Sequence, residues 1–162
     1  MTQIARLLEA NEHYAAARAT VIDPRPGRQL AVVTCMDARI DVFAALGLHL
    51  GEAMVIRNAR GRVTDDVLRS LALAVHVLGV DTVVVMQHTK CGLTGITDDE
   101  LRQLTGADLG FLAIDDHADA LNADIEVLTS RPYLAPIGEI AGFVYDVESG
   151  AVDHVVSWRR DR

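Results

Sequence analysis

A repeated alternation constrains this chain more than any other feature. Short runs rich in β-branched residues at 30–34, 53–57 and 81–87 are separated by segments whose apolar residues recur at helical spacing. Runs of that kind read as strands covered on both faces. Between the second and third, Val67, Leu68, Leu71, Ala74, Val75 and Leu78 form one helical stripe. Thr64 stands as its N-cap, Asp65 and Asp66 favour its dipole, and Gly79 stops it. Strand, helix and strand in alternation predict a parallel sheet with right-handed crossovers. Ligands of such sheets gather at the carboxyl ends of the strands.

The flanking segments fit around that sheet. Residues 2–20 predict an N-terminal helix capped by Thr2, with Ile4, Leu7, Leu8, Tyr14 and Ala15 near one face, ended by Asp23-Pro24-Arg25-Pro26-Gly27. Residues 40–46 predict a short helix closed by Gly47, and residues 97–103 a capped helix start. Residues 115–130 read as an acidic amphipathic helix, and Pro132 and Pro136 mark a loop. Residues 141–147 and 151–156, around Glu148-Ser149-Gly150, read as a terminal β-hairpin. The expected fold is α/β: a central, mostly parallel sheet flanked by helices, with an antiparallel C-terminal edge hairpin. The N-terminal helix is expected to pack on a partner subunit. At 162 residues, half of them apolar, the chain predicts one domain over 1–162.

Charge removes several functions. A net charge of −8 argues against a nucleic-acid binder, which needs a basic face to displace counterions from phosphate. It also disfavours docking on an anionic membrane. No apolar stretch approaches the roughly 20 residues of a membrane span, and the first residues lack the pattern of a signal peptide. The cytoplasm is the expected compartment, where thiols stay reduced.

Both cysteines fall where the predicted strands end. Cys35-Met36-Asp37-Ala38-Arg39 follows the first strand, and His88-Thr89-Lys90-Cys91-Gly92 follows the third. Two thiolates and an imidazole are a soft donor set suited to zinc. Three such ligands leave a fourth position for water or for Asp37. Arg39 either makes a surface ion pair with Asp37 or grips it bidentately, holding the carboxylate near or on the metal. A reactive Cys35–His88 thiol pair and a plain buried core are the alternatives. The remaining histidines, His13, His49, His76, His117 and His154, lack paired donors nearby. Asp98-Asp99-Glu100 reads as a solvated helix start, and no phosphate-binding glycine loop is present.

These residues resemble the β-class carbonic anhydrases, in their compact bacterial and archaeal form. The likeness rests on C-x-D-x-R after a strand, the GEAMVIRNA segment, the helix holding SLALAV, and H-x-x-C after a strand. It runs in order from about Leu30 to Gly95. The resemblance implies one Zn²⁺ per chain held by Cys35, His88 and Cys91, with Asp37 either pairing with Arg39 in an open site or becoming the fourth ligand in a closed one. It implies reversible hydration of carbon dioxide to bicarbonate through zinc-bound hydroxide, with Asp37 and Arg39 catalytic. Zinc lowers the pKa of its water to about 7. The resemblance also implies a homodimer or homotetramer.

Three positions depart from the family pattern. Arg60 stands where a glycine is common and could crowd the crevice or attract anions. Gln87 precedes the histidine where a glycine is common, and Lys90 replaces a frequent acidic residue. Carbonyl sulfide or carbon disulfide hydrolysis on the same scaffold is one alternative, because those substrates are also linear electrophiles. A structural zinc protein, with Asp37 permanently ligated, is another.

Overall fold

The computed structural model describes residues 1–18 and 23–161. Five strands, β1 (Leu30–Cys35), β2 (Ala53–Asn58), β3 (Thr82–His88), β4 (Glu139–Tyr145) and β5 (Val152–Arg159), form one sheet in the order β2-β1-β3-β4-β5. The first four run parallel, and β5 lies antiparallel on β4 at the edge. The helices are α1 (Gln3–Ala17), α2 (Val42–Ala45), α3 (Asp65–Leu78), α4 (Asp98–Thr105) and α5 (His117–Thr129).

Strand alternation divides the core. Val33, Val83 and Val85 point to one face, where they pack with Leu68, Leu71 and Val75 of α3 and with Leu121 and Ile125 of α5. Val32, Val84 and Met86 point to the other, against Ile40, Val42 and Leu48. Each of the central strands is buried almost throughout, which is why they read as unbroken apolar runs. Thr2, Thr64 and Thr97 all cap their helices, and Gly79 ends α3 in the left-handed conformation.

Several boundaries move. The first helix spans Gln3–Ala17; Ala19 and Thr20, expected to extend it, lie outside the described residues. The short helix begins only at Val42, because the Asp41 side chain accepts from the Ala44 N–H and caps it there. The expected edge hairpin is formed by β4 and β5, and β4 also pairs along its whole length with β3, so only β5 is antiparallel. Residues Pro132–Leu134 form a single 3-10 turn rather than open loop.

One element is unlike the rest. No residue of α1 is buried, and Ile4, Leu7 and Leu8 are 65%, 57% and 61% exposed. Among the described residues no helix is long and apolar enough to cross a membrane.

Candidate metal centre

Strands β1 and β3 are parallel neighbours, so both end at the same side of the sheet. Cys35 is the last residue of β1 and His88 the last of β3. Strand β2 ends beside them, and Met36 N–H donates to Asn58 O at 2.8 Å, carrying the pairing one step past Cys35. The turn after β2 passes directly beneath. A Cβ on Gly61 would lie 2.8 Å from Cys35 N and 2.9 Å from Thr34 C, and its φ of +66° is left-handed, so glycine is required.

The Sγ atoms of Cys35 and Cys91 and a ring nitrogen of His88 all lie within 4.8 Å of one another. A tetrahedral metal with Zn–S bonds of about 2.3 Å spaces its donors by roughly 3.8 Å, so this group could hold a metal ion. His88 Nδ1 donates to Thr89 O at 2.9 Å, which leaves Nε2 as the lone-pair nitrogen. Nε2 is buried and has no hydrogen-bond partner. Buried polar atoms are rarely left so, and a metal would satisfy this one. Burial raises the Cys35 thiol, but the His88 ring and the backbone N–H groups of Asp37 and Arg60 bring it below its ordinary value. Burial pulls His88 down, but Cys35 outweighs it and the imidazole is raised. Burial and the neighbouring Cys35 raise Cys91. A cation binding here would displace protons from these groups, which couples its affinity to pH.

Asp37 stands beside the three donors and not among them. Its Oδ1 accepts from Arg39 N and Nε, both at 2.9 Å, and its Oδ2 from Arg39 Nη2 at 2.7 Å. Oδ2 is 3.8 Å from His88 Nε2. Arg39 holds the Asp37 carboxyl far below the usual carboxylate range, so it is charged. Arg39 Nη2 also donates to Lys90 O at 2.8 Å, tying this pair to the second motif. Arg57 contacts the same loop, donating to Cys35 O, Asp37 O and Ile40 O. Nothing in the motif spacing had singled out Arg57.

Arg60 bounds the crevice beside Cys91, with its guanidinium turned to backbone carbonyls. It is 3% exposed, at φ +67°, and its guanidinium donates to Leu93 O, Ile96 O and Phe111 O at 3.2, 2.8 and 3.3 Å. Asp98, 3.6 Å from Arg60, accepts the N–H groups of Phe111, Leu112 and Ala113. Asp98, Asp99 and Glu100 do open α4, and Asp98 in addition anchors that loop. Arg62 makes a buried ion pair with Asp124 at 2.8 Å. Beside Cys91 these loops enclose a cavity of about 90 Å³ bounded by Arg60, Leu93, Ile114 and His117. His117 Nδ1 lies 2.8 Å from Gln87 Oε1, a pairing across 30 residues that spacing does not reveal.

Comparison with known proteins agrees with this geometry. The carbonic anhydrase family model matches residues 30–113. The chain is 34% identical over 161 residues to β-carbonic anhydrase 1 of Mycobacterium tuberculosis, covering 96% of this chain and 99% of that protein. It superimposes on the crystal structure of a carbonic anhydrase from Streptococcus mutans with a TM-score of 0.86 at 38% identity, covering 96% and 99% of the two chains. It is also 30% identical over 175 residues to a carbon disulfide hydrolase from an Acidianus species, covering 88% and 83%.

Proposed function

This chain belongs to the β-carbonic anhydrase family, and from that premise we propose that it interconverts carbon dioxide and bicarbonate with zinc held by Cys35, His88 and Cys91. The observation that carries the reading is the convergence of two thiols and an orphaned imidazole nitrogen within 4.8 Å at the carboxyl ends of β1 and β3. When bound, zinc supplies the Lewis acidity that lets a water give up a proton near neutral pH.

The chain's own residues do the rest. Asp37, ionised and fixed by Arg39 with its Oδ2 3.8 Å from His88 Nε2, is placed to accept a hydrogen bond from a water in the fourth position and orient it. Paired in this way with Arg39, Asp37 would not close the fourth position of a bound zinc, which a catalytic site leaves to solvent. The same pairing argues against a purely structural zinc closed by Asp37. Carbon dioxide is small and apolar and needs no polar recognition beyond that water.

The exposed apolar face of α1 fits a second copy of this chain, so the working unit is a homodimer or an assembly of dimers. The whole chain acts as one domain in the cytoplasm. A second reading, hydrolysis of carbon disulfide or carbonyl sulfide by the same residues, is favoured by the Acidianus relative. Stopped-flow hydration of carbon dioxide between about pH 6 and 9, with carbonyl sulfide and carbon disulfide in parallel, tests both. Zinc-loaded protein should favour carbon dioxide. Sulfur-substrate turnover far above hydration would select the second reading, and inactivity towards all three would leave a structural zinc protein.

A further inference from the structure

Two residues separate His88 from Cys91, and the first of them is tied to a distant part of the chain. Thr89 N–H donates to Tyr145 O at 2.9 Å, carrying the pairing with β4 one residue past the end of β3. The Thr89 hydroxyl donates to Asp146 Oδ2 at 3.3 Å and accepts the Val147 N–H at 3.2 Å. The Thr89 carbonyl accepts from His88 Nδ1 at 2.9 Å. One half-buried residue thus links the turn after β4 to the imidazole of the metal centre.

Asp146 divides its carboxylate between two tasks. Oδ1 accepts the N–H groups of Glu148 and Ser149 at 3.0 and 2.7 Å and the Ser149 hydroxyl at 2.9 Å, which folds the turn. Oδ2 is not needed for that fold; among the described residues its hydrogen-bond partner is the Thr89 hydroxyl. The turn is closed by its own backbone, with Asp146 N–H on Ala151 O at 2.8 Å and Gly150 N–H on Asp146 O at 2.9 Å. On either side of it Tyr145 and Val152 are paired across β4 and β5. It is a firm support, and its carboxylate can only accept, so the Thr89 hydroxyl proton has a fixed direction.

Glu148, from the same turn, also reaches the metal loop, through an ion pair with Lys90 that is exposed on both sides. Such a pair contributes little. The Thr89 link differs because it ends on a ligand. An imidazole that binds metal through one nitrogen is oriented by the partner of the other. The place of Thr89 O therefore sets where the His88 Nε2 lone pair points.

We propose that Asp146 is a positioning residue for the metal centre: through the Thr89 hydroxyl it holds the carbonyl that orients His88. The proposal rests on the reading of Cys35, His88 and Cys91 as zinc ligands, and not on which substrate is turned over.

The test compares Thr89→Val, Thr89→Ser, Asp146→Asn, the Thr89→Val/Asp146→Asn double variant and Glu148→Ala in the full chain, each folded before titration. Zinc affinity is measured by competition with a chromophoric chelator, and the visible spectrum of cobalt-substituted protein gives a second readout. Thr89→Val removes the hydroxyl and keeps the backbone; it should bind zinc roughly tenfold to a hundredfold more weakly and shift the cobalt bands. Thr89→Ser should restore both. Asp146→Asn keeps the Oδ1 acceptor of the turn and should lose a similar factor, with the double variant no weaker than the weaker single, as expected of residues acting in series. Glu148→Ala should bind as wild type does. Wild-type affinity and spectrum in Thr89→Val, no recovery in Thr89→Ser, additive losses in the double variant, or an equal loss in Glu148→Ala would each overturn the proposal. Should Thr89→Val not fold, Asp146→Asn against Glu148→Ala decides alone, and equal zinc affinities there overturn it. Wild-type protein that takes up no zinc would refute the ligand reading, and the proposal with it.

Discussion

The loop after β1 and the loop after β3 each bring one thiol to the same point, but they are held from opposite sides. Arg57 and Arg60, both at the exit of β2, do the holding. Arg57 is solvent-exposed and reaches across the first loop from outside, with Cys35 O at 3.0 Å and Ile40 O at 3.3 Å. Arg60 is buried and braces the second loop from within, through Leu93 O, Ile96 O and Phe111 O. The same chemistry has different consequences in the two settings. Water can take the place of the exposed Arg57, whereas loss of the buried Arg60 head group takes a charged donor from Ile96 O and Phe111 O, with Leu93 O keeping the Ile96 N–H at 3.3 Å. The first loop is therefore built for alignment of Asp37 and the second for stability, and substitutions should separate along that line.

The largest effect falls on both loops alike. Cys35→Ala and Cys91→Ala should each abolish stoichiometric zinc, measured by metal analysis after dialysis; a variant that kept one zinc per chain would remove that thiol from the site. Next comes Asp37→Asn, which should keep zinc but lose about a hundredfold or more in kcat/KM, because an amide cannot form the charged pair with Arg39. Wild-type rates there would leave the first loop without its assigned purpose.

Stability then tells the two arginines apart. In urea melts of the metal-free protein, Arg60→Leu should cost roughly 3 kcal/mol and Arg57→Leu under about 1 kcal/mol. Arg60→Gly should still be destabilised: relief of the left-handed backbone returns only about 1–2 kcal/mol, less than the lost carbonyl partners. Equal costs for Arg57 and Arg60, or a costlier Arg57, would reverse the comparison.

The second loop should also carry a pH signature. Burial raises Asp98, but the N–H groups of Ala113, Phe111 and Leu112 hold it below its ordinary value. Its folded pKa is depressed, so its contribution is present above the unfolded value near ~3.9 and is lost as pH falls through the lower folded value. Thermal melts taken towards acid should therefore fall less steeply in Asp98→Asn than in wild type; equal slopes would free the 111–113 loop of this dependence. The smallest effect is at Lys90, whose ion pair with Glu148 is exposed on both sides. Lys90→Ala should change stability by under about 0.5 kcal/mol.

The two loops also differ in how far they could be read from sequence. Cys35, Asp37 and Arg39 lie within five residues, so their grouping, and the Asp37–Arg39 pair, follow from local chemistry. The sheet was legible for a similar reason: β-branched runs and a 3.6-residue stripe are local signals, and Thr2, Thr64 and Thr97 cap as their positions imply. The carbonyls that Arg60 finds, and the meeting of Gln87 with His117, are set by how α5 and the 93–113 segment pack over the strand ends. A side chain's charge is visible in sequence, and its hydrogen-bond partners 30 or more residues away are not. Sequence therefore marks Arg60 as a residue that could crowd the crevice or attract anions, and not as the brace it forms for the 93–111 segment. Helix α1 is a milder case, since periodicity marks its apolar face but not what covers it.

The central claim is that both sulfurs and one imidazole share a single ion that still has room for a solvent molecule. X-ray absorption at the zinc edge of the loaded wild-type protein tests this most directly. It should show two sulfurs at about 2.3 Å and two nitrogen or oxygen donors at about 2.0–2.1 Å, with the sulfur count unchanged in Asp37→Asn. Fewer than two sulfurs, or a protein that retains no stoichiometric zinc, would contradict it.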